Sequence, residues 1–357
     1  QIHQQQADTL YAFGAPGFFE TQNNGTSWIY NNLRAPIASV THIAISRVTG
    51  GPTYLAVGGA VFINTEATSG SWQRGNELTA FTVRDLTTDI EDKTRAYVSV
   101  YLPNQWSVLF TEDSGKTWQP TMPPDTIPEK FLNDTTALEV SRGEGQEILY
   151  VGTNGCGIIH SLNKGKTWET FGRRDCNLGR NAPTSVIDLA VAPQSPDTLY
   201  VAADSTRIYV TKDRGKRWQV TNMPFTNPIW SIAVDPMIPN RVYLTAGTDG
   251  FWRSDDGAKN WKSYSTDFKE KLVEKLIAIP NTPETLYVST NNAEIWKTTD
   301  GGNHWSSAKE NLTINSIADL AYDYQKHEIV LSSWQDGLYR FKPGSLFKFW
   351  NRNEVTP

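Results

Sequence analysis

Residues 111–118 read Thr-Glu-Asp-Ser-Gly-Lys-Thr-Trp, an octet that returns along the whole chain. Close copies start at residues 161, 211 and 298, and weaker copies start at residues 21 and 254. A further stretch at residue 65 keeps only the first and last positions. Successive starts are 43 to 50 residues apart. A fixed period in this range is typical of a repeat architecture, so the octet predicts how the rest of the chain is organised.

The octet has the composition of a tight turn. Ser or Thr stands first, Asp or Asn third, Gly fifth and Trp eighth, although Ala258 replaces Gly in the sixth copy. Short polar side chains bond nearby backbone N–H groups, Gly adopts positive φ, and Trp supplies packing surface to the following strand. We therefore predict a structural hairpin turn, without a catalytic or metal-binding role, for the third-position residues Asn23, Asp113, Asn163, Asp213, Asp256 and Asp300.

Short apolar runs precede each octet in a constant order. In one unit, runs at residues 186–191, 198–202 and 208–210 come before the octet, and a fourth strand begins at Trp218. Four strands in about 45 residues are typical of a β-propeller blade, and we label them A to D from the axis outward. The pattern predicts an all-β, single-domain propeller with units at about 1–30, 31–73, 74–119, 120–169, 170–219, 220–262, 263–306 and 307–357.

The number of blades is open between eight and seven. Eight B strands can be recognised but only seven A strands, because the first unit lacks a clear A strand. The last unit lacks the octet and has Lys-Pro-Gly-Ser at 342–345 instead. We favour eight blades, with seven as the alternative if terminal strands complete a shared blade. In either case ring closure would remove exposed sheet edges.

The octet resembles the Asp-box, also called the BNR repeat, of β-propellers, and the resemblance extends over seven places along nearly the whole chain. Asp-box propellers include sialidases, xyloglucan-cleaving glycosidases, sortilin-type receptors and the photosystem II assembly and stability factors. The resemblance implies a propeller fold, but functions differ so widely across this group that the fold does not specify one.

Composition limits the classes of partner. The formal net charge is −5 and basic residues form no stripe, which disfavours nucleic-acid binding. No apolar run reaches about 18 residues, so we expect no membrane span. Neither a zinc spacing nor a cofactor motif occurs, so we expect no metal and no cofactor. The chain begins at Gln1 without an apolar leader, and we expect a mature extracellular or periplasmic chain whose signal has been removed.

Antiparallel strands place the A–B and C–D turns on one face and the B–C and D–A loops on the other. The second face carries the longer, more variable loops, where function usually resides. Cys156 and Cys176 both fall in loops of this face, and we expect a disulfide between them, with two free thiols as the alternative. A disulfide would favour an oxidising compartment.

The loop from 171 to 183 carries Arg173, Arg174 and Arg180, which suit recognition of carboxylate or phosphate groups. These arginines are the preferred contact patch, and a solvated charge cluster is the alternative. Trp106 and Trp334 lie in B–C loops and would suit a sugar or a protein partner. For these two side chains, packing between blades is an equal alternative.

An enzyme would require paired carboxylates. Asp204, Asp249, Glu294 and Asp336 fall in B–C loops of the last four units and could converge on one mouth, as a glycoside hydrolase would need. However, acids beside Gly and Asn are also ordinary turn formers. The Arg-Ile-Pro motif of sialidases is absent, and the xyloglucanase-type enzymes normally contain two propellers.

We therefore expect a non-catalytic, exported scaffold that binds a protein partner through its B–C and D–A loops. The alternatives are a carbohydrate-active enzyme or glycan-binding protein, and a structural subunit of a surface assembly.

Overall fold

The computed structural model describes residues 10–14, 17–21, 29–30, 40–57, 59–65, 72–75, 82–101, 106–123, 135–143, 145–170, 182–193, 195–268, 271–308, 314–334, 337–341 and 348–349. Within these ranges the chain is all-β, apart from a 3₁₀ turn at Thr266–Phe268. Seven four-stranded antiparallel sheets follow one another, and each is a blade whose strands are used in chain order.

The blades are numbered in chain order. Blade 1 contains β4 (Val40–Ile45), β5 (Thr53–Val57), β6 (Ala60–Asn64) and β7 (Gln73–Arg74). Blade 2 contains β8 (Thr82–Thr88), β9 (Ala96–Tyr101), β10 (Val108–Thr111) and β11 (Gln119–Pro120). Blade 3 contains β12 (Thr135–Gly143), β13 (Gln146–Thr153), β14 (Ile158–Ser161) and β15 (Glu169–Thr170). Blade 4 contains β16 (Val186–Ala192), β17 (Ser195–Ala203), β18 (Arg207–Thr211) and β19 (Gln219–Asn222).

The remaining blades repeat this plan. Blade 5 contains β20 (Ser231–Val234), β21 (Val242–Thr245), β22 (Phe251–Ser254) and β23 (Lys262–Ser263). Blade 6 contains β24 (Val273–Ala278), β25 (Leu286–Thr290), β26 (Ile295–Thr298) and β27 (Ser306–Ser307). Blade 7 contains β28 (Asp319–Asp323), β29 (Glu328–Ser333), β30 (Gly337–Phe341) and β31 (Lys348–Phe349). A separate three-stranded sheet contains β1 (Leu10–Gly14), β2 (Gly17–Thr21) and β3 (Ile29–Tyr30).

The ring closes between blade 7 and blade 1. Each first strand packs against the first strand of the next blade, and β28 completes the circuit by packing against β4. The Asp319 carboxylate accepts the N–H of Ile43 at 2.9 Å across this joint. Val40, Ile43 and Val330 share one apolar cluster there. The structure therefore has the seven-bladed alternative. The first predicted unit supplies β1–β3 instead of an eighth blade, because it has no inner strand to enter the ring.

The second strand of each blade lies between two neighbouring blades, and this explains its nearly continuous apolar sequence. Six of the seven strands place a tyrosine at the same position, and all six are fully buried: Tyr54, Tyr97, Tyr150, Tyr200, Tyr243 and Tyr287. Six of the seven blades thus bury an aromatic ring at their joints. The Trp118 ring packs edge-on against Tyr54 of the preceding blade, with ring centroids 6.1 Å apart.

The octet forms the predicted self-satisfied turn. In the copy at 111–118, the Thr111 hydroxyl donates to Asp113 Oδ1 at 2.8 Å and accepts the N–H of Gly115 at 2.8 Å. The Asp113 carboxylate also accepts the N–H and the hydroxyl of Thr117. The same bonds recur at Asn163, Asp213, Asp256 and Asp300. Asn23 lies outside the described residues. In the copies that the structure describes, the third-position residue therefore holds the turn through its own hydrogen bonds.

Glycine at the fifth position meets two requirements at once. Gly302 has φ of 96°, and a Cβ there would lie 2.4 Å from Cε1 of Phe251 in the preceding blade. Gly145, in an A–B turn, has φ of 80° but has no atom within 4 Å of the equivalent Cβ position. These two glycines therefore separate backbone strain from the steric requirement of packing between blades.

We predict that Gly302→Ala destabilises the protein more than Gly145→Ala. Both changes place a Cβ on a left-handed residue, which costs about 1–2 kcal/mol. Only Gly302→Ala also forces overlap with Phe251, which adds about 1–3 kcal/mol. Urea unfolding followed by tryptophan fluorescence measures the difference. Equal unfolding midpoints for the two variants would contradict close packing of the octet against the preceding blade.

Candidate functional site

Backbone hydrogen bonds establish which turns share a face. The N–H of Ser114 and of Arg214, both in octets, donate to Thr94 O and Asp197 O in A–B turns. On the opposite side, the N–H of Gly155 in a B–C turn donates to Thr184 O, which precedes the next blade. We call the first side the Asp-box face and the second the loop face. The predicted division of turns between two faces is therefore what the structure has.

Exposed aromatic side chains surround the mouth of the channel on the loop face. Trp230 is 44% exposed just before β20, and Trp334 is 47% exposed just after β29. Tyr101, at the end of β9, is 36% exposed, and the Arg84 guanidinium lies 5.8 Å from the centre of its ring. These residues come from blades 2, 5 and 7, so the aromatic surface extends around the mouth instead of lying on one blade.

Trp106 is buried instead of exposed. Only 6% of its surface is accessible, its Nε1 donates to the Thr121 hydroxyl at 2.6 Å, and its ring packs edge-on against Trp168. It fills the joint between blades 2 and 3, which was the alternative reading of its position. Of the two tryptophans predicted to line the mouth, only Trp334 is exposed there, and Trp230 provides a second exposed ring.

The predicted arginine patch lies outside the described residues, as do Cys176 and Asp336. Cys156 is described: it is 3% exposed, and its N–H donates to the Thr153 hydroxyl at 3.0 Å. It is therefore held in the B–C turn of blade 3 on the loop face. Pairing of Cys156 with Cys176, and the roles of Arg173, Arg174 and Arg180, stay predictions.

The three described carboxylates of the predicted acidic group hold their own turns together. Asp204 accepts bonds from the Thr184 hydroxyl at 2.5 Å, the Ser185 N–H at 2.9 Å and the Tyr209 hydroxyl at 2.6 Å. Burial raises the pKa of Asp204, but these hydrogen bonds outweigh burial and hold the pKa below its usual value.

Asp249 and Glu294 are similarly engaged. Asp249 Oδ2 accepts the backbone N–H of Asn227 at 3.1 Å and its side-chain amide at 2.7 Å. Glu294 pairs with Lys271 at 2.7 Å and accepts Nε1 of Trp296 at 3.0 Å. Each acid therefore acts as a turn or ion-pair partner inside its own blade. Among the described residues, no group of three or more His, Cys, Asp or Glu side chains is placed to hold a metal ion.

The central channel contains a charge cluster that the sequence analysis missed. Asp85, Asp188 and Asp319 each precede a leucine at the same position of an inner strand. Each carboxylate accepts one N–H from that leucine and one from the inner strand of the next blade: Leu138 at 2.6 Å, Ile232 at 2.9 Å and Ile43 at 2.9 Å. The recurring Asp-Leu pair could have indicated this cluster in the sequence. However, a polar residue beside an apolar one is also common in any half-buried strand, so the spacing of apolar residues alone does not reveal it.

β-Bulges aim these side chains at the neighbouring blade. The register shifts between Val83 and Asp85 in β8, and between Val186 and Asp188 in β16. A bulge inserts an extra residue and redirects the side chain beside it. Lys275, on the inner strand of blade 6, neutralises the cluster. Burial lowers the pKa of Lys275, but Asp319, Asp188 and Asp85 outweigh it and raise the pKa above its usual value.

Comparisons with known proteins agree with this architecture. The family model described as sortilin, neurotensin receptor 3, matches residues 249–343. The xyloglucanase Xgh74A of Acetivibrio thermocellus is 29% identical over 104 residues, which are 26% of this chain. The chain spans only 12% of the length of that relative.

Solved structures match over far more of the chain. YCF48 bound to D1 peptide has a TM-score of 0.65 at 12% identity and covers 87% of this chain and 93% of its own. A chain of the mitotic checkpoint complex has a TM-score of 0.65 at 12% identity, covering 85% and 89%. An ancestral GH74 enzyme has a TM-score of 0.60 at 15% identity, covering 95% and 52%.

This chain is an Asp-box β-propeller. The repeated octet, the seven blades and the three comparisons agree on that point. Propellers as different as YCF48 and a GH74 enzyme share its fold, so the fold leaves catalysis undecided and the geometry of the site must carry the functional argument.

We predict that Lys275→Met destabilises the protein more at pH 8 than at pH 5. Without the ammonium group, the negative charges of the cluster repel one another more strongly in the folded state, so the already raised pKa values of Asp85 and Asp188 rise further. The folded state then binds more protons than the unfolded state, and stability falls as pH rises. We expect a loss of about 2 kcal/mol at pH 8, less than for a fully buried pair because these side chains are half-buried.

Urea unfolding at the two pH values measures this effect. Lys262→Met, which removes an exposed lysine of β23, is the control and should change stability little at either pH. An equal loss for Lys275→Met at pH 5 and pH 8 would show that the lysine does not balance the channel carboxylates.

Proposed function

We propose that this chain is a non-catalytic, exported propeller that binds a protein or peptide partner on its loop face. The observation that carries the proposal is the set of exposed aromatic rings around the channel mouth, namely Trp230, Trp334 and Tyr101. Tryptophan, tyrosine and arginine are the side chains enriched among the residues that dominate binding energy in protein interfaces.

The exposed rings are costly to leave in water unless a partner covers them. Trp230 lies beside Gly247, whose hypothetical Cβ would be 3.5 Å from the indole Nε1. The B–C turn of blade 5 therefore lies directly beside the ring, and a partner that covers the ring would also contact this turn. Arg84, stacked near Tyr101, adds a cationic group that can recognise a carboxylate or a carbonyl oxygen on the partner.

The carboxylates support a binding function over catalysis. A general acid or base needs an oxygen that can reach the substrate. The oxygens of Asp204, Asp249 and Glu294 already accept donors from their own turns. An active site built on these acids would therefore first have to break the bonds that shape the loop face.

Three further features belong to this proposal. We place Arg173, Arg174 and Arg180 on the same face as an additional anionic contact, because the segment that carries them connects the loop-face ends of blades 3 and 4. We also propose that Cys156 pairs with Cys176 and pins that segment, and that the protein works in an extracellular or periplasmic compartment. A structural role in a surface assembly would use the same exposed rings.

Carbohydrate binding is the second candidate. The local match to the xyloglucanase Xgh74A and the exposed Trp230 and Trp334 rings favour it, because sugar rings stack on aromatic side chains. The match covers only about a quarter of this chain, and the three candidate acids that the structure describes are engaged in their own turns. A glycan would therefore be bound without being cleaved.

We predict that Trp230→Ala and Trp334→Ala each weaken peptide binding at least tenfold. Peptides are first selected from a random displayed library on the immobilised wild-type protein and then titrated by fluorescence anisotropy. Truncating a central aromatic contact typically costs about 2 kcal/mol or more, which corresponds to roughly 30-fold. Met237→Ala is the matched control, because Met237 is 49% exposed in an A–B turn on the Asp-box face.

Peptides that bind the Trp230→Ala, Trp334→Ala double variant as tightly as the wild type would overturn the proposal. A parallel titration with xyloglucan oligosaccharides tests the second candidate. Binding that both tryptophan changes abolish, without release of reducing sugar, would establish a glycan-binding propeller. Release of reducing sugar by the wild type, lost in the Asp249→Asn variant, would instead establish that the protein is an enzyme.

A further inference from the structure

A pocket of about 780 Å³ opens on the Asp-box face, on the opposite side from the aromatic mouth. It lies between blades 2 and 3 and is lined by their A–B turns and by the octet of blade 3. Asp89 and Glu147 lie inside it, where Asp89 is 2% exposed. Three exposed lysines line its rim: Lys93, Lys164 and Lys166.

The two acids inside the pocket face each other, and Arg95, the described guanidinium beside them, makes its short ion pair with Glu112 instead. Asp89 Oδ1 accepts the N–H groups of Glu91 and Asp92 at 2.8 and 3.1 Å and so shapes the A–B turn. Asp89 Oδ2 is buried and accepts no N–H from the described residues; Nη1 of Arg95 lies 3.9 Å away, and the protonated carboxyl of Glu147 shares a hydrogen bond with Asp89. Glu147 Oε1 accepts the Tyr97 hydroxyl at 2.6 Å. A buried carboxylate oxygen that accepts no N–H is costly unless another group takes that place.

The repeat provides an internal comparison at the joint between blades 5 and 6. Asp235 corresponds to Asp89, Arg241 to Arg95, and Glu284 to Glu147, judged by their positions before the conserved tyrosines of the second strands. There the second oxygen of Asp235 accepts the Tyr243 hydroxyl at 2.7 Å and the Glu284 N–H at 2.9 Å.

The arginines at these two joints have different partners. Arg241 Nη1 pairs with Glu284 across the joint, and its Nε donates to Asp255 at 2.6 Å. Arg95 instead pairs with Glu112 of its own blade and does not reach Glu147 among its described contacts. The joint between blades 5 and 6 is therefore closed by a guanidinium, whereas the same place between blades 2 and 3 is an open pocket.

We propose that the pocket between blades 2 and 3 binds the guanidinium of a ligand arginine between Asp89 and Glu147, with the ligand's own carboxylate directed to Lys164 and Lys166. The guanidinium would pair with Glu147 as Arg241 pairs with Glu284 at the closed joint. The ligand is therefore a C-terminal arginine residue or free arginine. Lys164 and Lys166 form no ion pair with any described residue, so both ammonium groups are available to a carboxylate.

The protonation of the acidic pair supports this assignment. Burial, and next the hydrogen bond with Asp89, raise the pKa of the Glu147 carboxyl to about 8, while Tyr97 and Lys164 lower it. Near neutral pH the empty pair therefore holds a proton, which an arriving guanidinium would displace. The other charged groups that line the pocket are Glu91 with Arg142, Asp92, Lys93 and Lys166.

The test uses isothermal titration of the full chain with three probes. Nα-acetyl-L-arginine carries both charges, Nα-acetyl-L-citrulline replaces the guanidinium by a neutral urea of the same shape, and agmatine lacks the carboxylate. We expect the arginine probe to bind at least tenfold more tightly than either of the others. We also expect its binding to release protons at pH 7 and to strengthen between pH 7 and pH 8.5. Comparison with the tripeptide Gly-Gly-Arg distinguishes a peptide terminus from the free amino acid.

The matched variants are Glu147→Gln and Glu284→Gln, which change the corresponding residues of the open and the closed joint. Glu147→Gln should weaken binding of the arginine probe at least tenfold and abolish proton release, and thermal unfolding should show it to be folded. Glu284→Gln should leave binding unchanged. Equal binding of the citrulline probe, no binding by the wild type at millimolar concentration, or unchanged binding in Glu147→Gln would each overturn the proposal. Because the pocket is on the Asp-box face, these outcomes are independent of peptide binding at the aromatic mouth.

Discussion

The first hydroxyl of each octet is the interaction on which the propeller depends. In Thr111, Thr211 and Thr298 that hydroxyl donates to the third-position carboxylate and accepts the fifth-position N–H. The carboxylate then accepts the backbone N–H of the residue four positions after it in the chain. A hairpin that satisfies its own polar groups can lie at a blade edge without help from another element. This tight turn also places the glycine of the octet against the aromatic ring of the preceding blade. One local hydrogen-bond network therefore determines both the hairpin conformation and the packing between blades.

Cohesion near the axis has a different origin. No helix packs on the sheets in the described part of the chain, so the inner strands must bind one another directly. Asp85, Asp188 and Asp319 do this by accepting N–H groups from the next blade, and Asp319 uses the same bond to close the ring. Three carboxylates around one channel repel, and Lys275 is the cation that offsets this repulsion. The periphery is thus held by hydrogen-bonded turns and apolar packing, whereas charged groups on neighbouring inner strands hold the axis.

Strand positions and the octet turns could be predicted from the sequence because both depend on local patterns. The predicted strand at 53–57 coincides with β5, and the predicted turn residues have the expected bonds. The number of blades depends on which strands meet after the chain has gone round once, which no local pattern contains. The burial of Trp106 was equally non-local, because it depends on Thr121 and on Trp168 of the next blade. The channel aspartates were visible as Asp-Leu pairs, but their bonds to the next blade depend on how the inner strands pack, and for Asp85 and Asp188 also on a β-bulge.

Differences between repeats locate function better than the repeated residues do. Residues that recur at most joints, such as the buried tyrosines of six blades, are explained by packing alone. The joints between blades 2 and 3 and between blades 5 and 6 share an arginine, two acids and a tyrosine, yet a different partner for the arginine closes one joint and leaves the other open. On the opposite face, the exposed aromatic rings among the described residues, Trp230, Trp334 and Tyr101, come from three of the seven blades. A ring of similar blades therefore presents two chemically different surfaces, the exposed aromatic rings of the loop face and the charged pocket of the Asp-box face. They differ because a few positions depart from the repeat, while the hydrogen bonds of the octet turns recur from blade to blade.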